Sequence, residues 1–296
     1  GLNDTDATAE TRGTLPLSLK MVRTVTTAAG DLLLDTYTGA AAAYSVRKLD
    51  KDYTGSCMRI REDSGDTETD IGFDSNGDLD TSAIATHCGS ANGYVVTWYD
   101  QSGNSNNATQ STSGNQPQIY NGTAVITVNG KPAIDFINGT TTYLDGSYLG
   151  TATSWTTFSI QDENNSNAHN SWSPDYNENA VCASSQVFLD GGFINGVTAG
   201  YGGTINHPGA TGSSAVPFHR LIYWLRSGSS SELGTNGGTA TTGTQTGNTL
   251  RLRLGTRAGL SSPNKGYMYE LVAYNSDQST NRTGIESDIN TYYSIY

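Results

Sequence analysis

The sequence predicts an all-β sandwich, and three observations carry the prediction. Gly, Asn, Ser and Thr recur between short apolar runs, with 35 Gly and seven Pro in 296 residues, and Gly and Asn supply the positive φ that tight turns require. Tyr is abundant, at 17 residues, and with Thr it suits pleated, half-buried surfaces. Apolar and polar residues alternate in Tyr44-Ser45-Val46-Arg47 and Met58-Arg59-Ile60-Arg61, the period-two signature of a strand with one face in a core. Sandwiches reach roughly 200–250 residues as single units. The chain is therefore read as one β domain over residues 31–296, preceded by an N-terminal arm over residues 1–30.

The arm is polar and Thr-rich around one apolar patch, Leu15-Pro16-Leu17-Ser18-Leu19-Lys20-Met21-Val22. Leu15, Leu17 and Leu19 alternate there and form a candidate assembly contact, since an exposed strand edge invites pairing. An edge strand completing the sandwich is the equal alternative. After the first alternating strands, Asp80-Thr81-Ser82-Ala83-Ile84-Ala85-Thr86-His87-Cys88 reads as a short internal helix capped by Asp80. Strands follow near residues 117–120, 124–128, 133–137, 156–161, 186–189, 218–226, 250–255 and 267–275, separated by Gly, Asn and Ser turns. Two long irregular regions are expected, Asp162 to Asn179 and Gly228 to Asn248. Near the C-terminus, Ile285, Ile289, Tyr292 and Tyr293 share one helical face, so a helix packs there against the sandwich.

Composition narrows the partners. The formal net charge is −12 with only 16 Lys and Arg, which argues against a nucleic-acid partner because phosphate neutralisation needs clustered cations. No run of about 18 apolar residues offers a membrane span. The three cysteines Cys57, Cys88 and Cys182 are an odd set, better read as thiols than as a disulfide framework. Such a chain suits folding in a reducing cytoplasm, followed by release.

Several groups of residues could carry chemistry. Asp74, Asn76, Asp78 and Asp80 alternate around Gly77, which is how short loops wrap a hard cation. Calcium is thus the one cofactor the sequence offers, although the distal bidentate Glu of an EF-hand is missing. A solvated turn before the helix explains the same residues. The four histidines show no short metal spacing. Trp155, Trp172, Tyr176 and Tyr201, with Asp175 and Glu178, form a candidate sugar-binding set, since aromatic faces stack on sugar rings. Filling the core or a subunit contact is the alternative role of those aromatics. Asp100 and Gln101 read as structural, an Asp after a strand accepting backbone N–H groups of the next turn.

The stretch Val95-Val96-Thr97-Trp98-Tyr99-Asp100-Gln101-Ser102-Gly103-Asn104, with Tyr37 to Arg47 upstream and Asn129 to Phe136 downstream, resembles the catalytic domain of fungal α-L-arabinofuranosidase B and related β-sandwich proteins of bacteriophages. In the second half, Leu250-Arg251-Leu252-Arg253-Leu254-Gly255 and Gly266 to Asn275 resemble the phage-type, laminin-G-like proteins. The resemblance implies a concanavalin A-like jelly-roll sandwich. It also implies a pair of catalytic carboxyl groups. In that resemblance the family's nucleophile segment faces Phe218-His219-Arg220-Leu221-Ile222-Tyr223-Trp224, which holds no carboxylate. Asp175, Glu178 and Asp190 remain as the loop carboxylates to test.

The expectation is therefore a non-catalytic structural protein of a bacteriophage particle, as capsid decoration or as a tail or fibre component. Its expected partners are other virion proteins, further copies of itself and a host surface glycan. Its expected place is the virion, after synthesis in the host cytoplasm. The alternatives are a carbohydrate-binding adhesin and an α-L-arabinofuranosidase-type glycoside hydrolase.

Overall fold

Strand formation follows the alternation of apolar and polar positions through most of the chain. The computed structural model describes residues 30–136, 142–163, 169–174, 184–190, 193–199, 204–207, 218–244, 249–255 and 266–296. In chain order the strands are β1 (Ala42–Ser45), β2 (Met58–Glu62), β3 (Glu68–Ile71), β4 (Asn92–Trp98), β5 (Ala108–Thr109), β6 (Gln118–Asn121), β7 (Thr127–Val128), β8 (Lys131–Pro132), β9 (Ile134–Asp135) and β10 (Leu144–Thr151). They continue as β11 (Ser154–Glu163), β12 (His169–Pro174), β13 (Ser184–Asp190), β14 (Phe193–Ala199), β15 (Thr204–His207), β16 (Phe218–Ser227), β17 (Ser230–Thr235), β18 (Thr241–Thr244), β19 (Thr249–Leu254) and β20 (Gly266–Tyr274). Helices are α1 (Leu33–Thr36), α2 (Thr81–Cys88) and α3 (Arg282–Tyr293).

Antiparallel pairing arranges these strands in two rows. The long row runs β3-β2-β4-β5-β10-β19-β12-β13-β14-β15. The short row runs β1-β20-β11-β16-β17-β18. β9 ties them together by pairing with β20 and with β6, which lies beside β4. The all-β sandwich is as the sequence predicts, with both the short internal helix and the C-terminal one.

The core lies between the rows. Met58, Ile60, Val95, Leu144 and Leu252 are fully buried on the long row. From the short row, the Tyr44 ring sits 5.8 Å from that of Trp98, and Trp98 Nε1 donates to the Ser45 carbonyl at 3.3 Å. Such a close aromatic pair contributes beyond its buried area. Trp155 and Trp224 meet edge to face at 5.1 Å, both 1% exposed. Cys57 and Cys88 are buried free thiols, while Cys182 lies outside the described residues.

The other face of the short row is covered by α3. Ile285, Ile289 and Tyr293 are buried on it, and Arg282 stacks on Tyr223 at 4.3 Å. Gly284 lets the helix come close, since a Cβ there would lie 1.9 Å from the Tyr37 hydroxyl. Under the helix, Glu270 accepts from Ser45 Oγ at 2.7 Å and from Arg47 Nε at 2.9 Å.

One region expected to be loop is instead built from strands. Within Gly228 to Asn248 the chain turns at Gly228 and adds β17 and β18 to the short row. Leu233 is fully buried there and Ser231 is 1% exposed. A Ser- and Thr-rich run with a single Leu gives a weak apolar signal, and cross-strand pairing with β16 overrides it. Likewise β12 occupies part of Asp162 to Asn179.

The β2–β3 turn is organised by Glu62. Its carboxylate accepts from Ser64 N at 2.7 Å, Ser64 Oγ at 2.5 Å, Gly65 N at 3.0 Å and Thr67 N at 3.1 Å. The Ser64 hydroxyl, followed by the backbone N–H groups of Thr67 and Gly65, holds this carboxyl well below the usual range. A depressed folded-state pKa stabilises the fold above the unfolded value, about 4.3, and that contribution is lost as pH falls below it. Glu62→Gln is therefore expected to lower the melting temperature at pH 7, with the gap to wild type closing as pH drops from about 5 towards 3. A gap that does not change with pH in thermal scans would show that the charge is irrelevant to the turn.

Candidate functional site

Residues facing each other across antiparallel strands point to the same side of a sheet. On the long row, one such line crosses the strands in register: Asp70 to Arg59, Arg59 to Thr97, Thr97 to Thr109, Thr109 to Asp145, and Asp145 to Arg253. The register continues to Ser173 of β12. Met58 pairs with Trp98 and Ile60 with Val95, all buried on the core side, so this polar line lies on the face away from the core.

A bulge widens that face. Arg59 pairs with Thr97 but Ile60 pairs with Val95, so Val96 is an extra residue and β4 bends there, as bulges make strands do. Val96 and Thr97 line a groove with Thr109, Gln110, Ser111, Thr112, Tyr143 and Asp145. Its volume is about 260 Å³, just below the roughly 300–1,000 Å³ of sites for drug-sized ligands. One sugar unit is the appropriate scale of occupant.

The lining is held in place from behind. Arg253 Nε donates to Asp145 Oδ1 at 2.6 Å, and its guanidinium stacks on the Tyr143 ring at 5.0 Å. The Asp145 side chain is 34% exposed. Gln110 is fixed at both ends of its amide, donating to the Tyr143 carbonyl at 3.2 Å and accepting from Thr112 N at 2.9 Å. Gln116 Nε2 donates to the Gln110 carbonyl at 2.9 Å and Gln116 Oε1 accepts from Arg61 Nε at 2.8 Å. At the far end of the line, Arg59 clamps Asp70 through two bonds of 2.8 and 2.9 Å. That guanidinium holds the Asp70 carboxyl below its usual range, with the Tyr99 hydroxyl adding to the effect.

The lining of the groove is polar, with one aromatic ring. It offers a carboxylate acceptor, hydroxyls, fixed amides and one aromatic ring, the complement of a polyhydroxylated ring. β5, which supplies Thr109, follows the Tyr99 to Asn107 loop. There Asp100 accepts from the Ala43, Ser102 and Asn106 amides at 2.8, 2.9 and 2.9 Å. Gln101 accepts from Leu49 N at 2.8 Å and donates to the Arg47 carbonyl at 3.0 Å. Both act as the structural anchors expected from the sequence.

Of the sugar-binding and assembly residues anticipated from the sequence, the structure describes Trp155 and the backbone of Trp172. Trp155 is a correction: its ring is buried against Trp224 and presents no face to a sugar, because β11 is an inner strand flanked by β16 and β20. Trp172 belongs to β12, opposite Val187 and Leu254. Asp175, Tyr176, Glu178 and Tyr201 lie outside the described residues, as do Leu15, Leu17 and Leu19.

The acidic loop closes on itself. Asp74 Oδ1 accepts from Asn76 N at 2.8 Å and Asp78 N at 3.0 Å, and these backbone donors hold its carboxyl below the usual range. The Asp78 carboxylate accepts from the Tyr292 hydroxyl, while Asp80 caps α2 through Ala83 N at 2.9 Å. Among the described residues no group of three His, Cys, Asp or Glu side chains comes together to hold an ion. The geometry is that of a hairpin turn followed by a helix cap.

Asp145, Tyr143 and Gln110 line the groove and Arg253 holds it, and the sequence does not single them out. Their signal is present as polar alternation in Tyr143-Leu144-Asp145 and Leu252-Arg253-Leu254. Only the pairing of β10 with β19, more than 100 residues apart, makes it a site.

The family model of the α-L-arabinofuranosidase B catalytic domain matches residues 30–181, which include the groove except for Arg253. The chain belongs to that family. In structure it is similar to a GH54 α-L-arabinofuranosidase soaked with a cyclic sulfate inhibitor, with 17% identity and a TM-score of 0.64 over 87% of this chain and 64% of that one. It is also similar to an arabinofuranosidase complexed with arabinofuranosyl-α-1,2-xylobiose, with 17% identity and a TM-score of 0.64 over 84% of this chain and 62% of that one. A mutant GH54 α-L-arabinofuranosidase soaked with 4-nitrophenyl α-L-arabinofuranoside aligns with 17% identity and a TM-score of 0.65 over 87% of this chain and 64% of that one. The chain thus spans less than two thirds of the length of these structures. No curated protein matches it in sequence.

These findings correct the expectation of a non-catalytic phage-particle protein. The family is that of a catalytic domain, and these matches are to arabinofuranosidases rather than phage-type proteins. The expected lack of catalysis rested on Phe218 to Trp224. Those residues lie beyond the matched stretch and belong to β16, where Leu221, Ile222, Tyr223 and Trp224 are all buried. The family match therefore rests on other residues than the ones that carried that expectation.

Proposed function

We propose that the protein is a glycoside hydrolase that cleaves α-L-arabinofuranosides. The observation that carries this reading is the match of residues 30–181 to a catalytic domain, the stretch that holds the groove's floor and walls as well as Asp175 and Glu178. The reaction needs two carboxyl groups. One protonates the departing oxygen, and the other either attacks the anomeric carbon or activates water, according to whether the two are about 5–5.5 Å or 6.5–9.5 Å apart. Asp175, Glu178 and Asp190 are the carboxylates assigned for testing. In sequence, Asp175 follows Ser173, the last residue of the polar line, by two positions.

The test is hydrolysis of 4-nitrophenyl α-L-arabinofuranoside and release of arabinose from arabinofuranosyl-α-1,2-xylobiose. Wild type is expected to turn over both. Asp175→Asn, Glu178→Gln and Asp190→Asn are each to be measured, and loss of an acid or base group lowers kcat by about 10²–10⁴-fold. Absence of wild-type turnover on both substrates would overturn the proposal. Full activity in all three variants would move the chemistry to other carboxylates.

A further inference from the structure

We infer that the groove between β4, β5 and β10 is a subsite for a neutral sugar unit of the polymer that carries the arabinofuranose. This rests on the hydrolase reading for its role in turnover, though not for binding itself. The groove, lined from Val96 to Asp145, lies within residues 30–181, the stretch that the catalytic-domain model matches.

The chemistry of the lining selects the occupant. Asp145, held by Arg253, offers a carboxylate oxygen as acceptor for sugar hydroxyls. Thr97, Thr109 and Thr112 line the groove and add hydroxyls that both donate and accept. Tyr143 supplies the apolar surface, and its other partner, Arg253, keeps the ring from turning. Among the lining residues the only charged group is Asp145, so a uronic acid would place carboxylate beside carboxylate. Neutral pentose or hexose units fit. The Arg253 guanidinium is already engaged with Asp145 and Tyr143, and it orients these groups rather than recruiting an anion.

A blocking variant tests the inference without touching the ion pair. Thr109 is exposed on the groove floor, so Thr109→Tyr fills the groove while leaving the core intact, and Tyr143→Ala removes the ring. Each variant and wild type are assayed on the branched trisaccharide and on the aryl arabinofuranoside, which has no xylose units to reach the groove. The ratio of kcat/KM for the trisaccharide to that for the aryl substrate is expected to fall by roughly tenfold or more in both variants, mainly through KM, as loss of a sugar-stacking ring and its hydroxyl contacts implies. An unchanged ratio in Thr109→Tyr overturns the subsite. If wild type proves inactive, calorimetric titration with xylo-oligosaccharides decides independently. Binding that is lost in Thr109→Tyr upholds the subsite while the hydrolase reading falls, and absence of wild-type binding overturns the subsite.

Discussion

Glu270→Leu is expected to cost about 3–5 kcal/mol of folding stability, because it leaves a buried guanidinium without its main partner. Glu270 is fully buried and Arg47 is 8% exposed. Two bonds of 2.9 and 3.1 Å join them, and Arg47 also reaches Asp288 at 2.7 Å. The rings of Tyr292 and Tyr293 close over the guanidinium at 5.0 and 5.7 Å. Burial pushes the Tyr293 hydroxyl far above its ordinary pKa, so it stays protonated and donates to Glu270 at 3.2 Å. The cluster joins β1, β20 and α3, and removing one charge disturbs all three. For a chain of this size the loss corresponds to a fall in melting temperature on the order of 10 °C. The double variant Arg47→Met, Glu270→Leu is expected to recover at least half of it, since buried pairs are often replaceable by apolar groups of similar volume. Chemical denaturation checks both. A single-variant loss under about 1 kcal/mol, or a double variant no better than the single, would show that the cluster is not a mutually dependent unit.

How much of this is legible in the sequence depends on whether the signal is local. The Tyr44 and Met58 alternations, the Asp80 cap and the Ile285, Ile289, Tyr293 stripe are local, and each predicts an element that the fold contains. β17 escapes notice because Ser230-Ser231-Glu232-Leu233 has one strong apolar residue and owes its pairing to β16. Trp155 is misplaced for a related reason. A Trp at the head of a Thr-rich strand looks the same in sequence whether it meets a sugar or another Trp, and only the pairing with Arg226 and the contact with Trp224 decide. The groove is invisible because its lining comes from β4, β5 and the start of β10 and is held by Arg253 of β19, and no spacing rule connects Thr97 to Arg253. The non-catalytic expectation leans on Phe218 to Trp224 alone, a strand outside the stretch that the family model matches.

Asp100→Ala is expected to be almost as damaging as loss of Glu270, and its consequence reaches the groove. The carboxylate, 4% exposed, accepts from three backbone amides, Ala43, Ser102 and Asn106, and from Ser102 Oγ at 2.7 Å. Each buried donor left without a partner costs about 1–3 kcal/mol. Water can enter once the loop opens, so the sum is set nearer ~3–5 kcal/mol than the upper limit. Asp100→Asn keeps one acceptor oxygen, enough for Ala43 and Ser102, but turns an NH2 group towards the Asn106 amide, donor against donor. It should lose roughly half as much stability, with the damage confined to the Ser102 to Thr109 side. That side leads directly into β5, so Thr109 would lose its fixed place between Thr97 and Asp145. In hydrogen-exchange measurements on Asp100→Asn, the amides of Asn106 and Gln110 should exchange faster while that of Ala43 remains protected. Uniform acceleration, including the β1 and β20 amides, would mean that Asp100 supports the sandwich as a whole and that the loop is not a separate clamp on the groove.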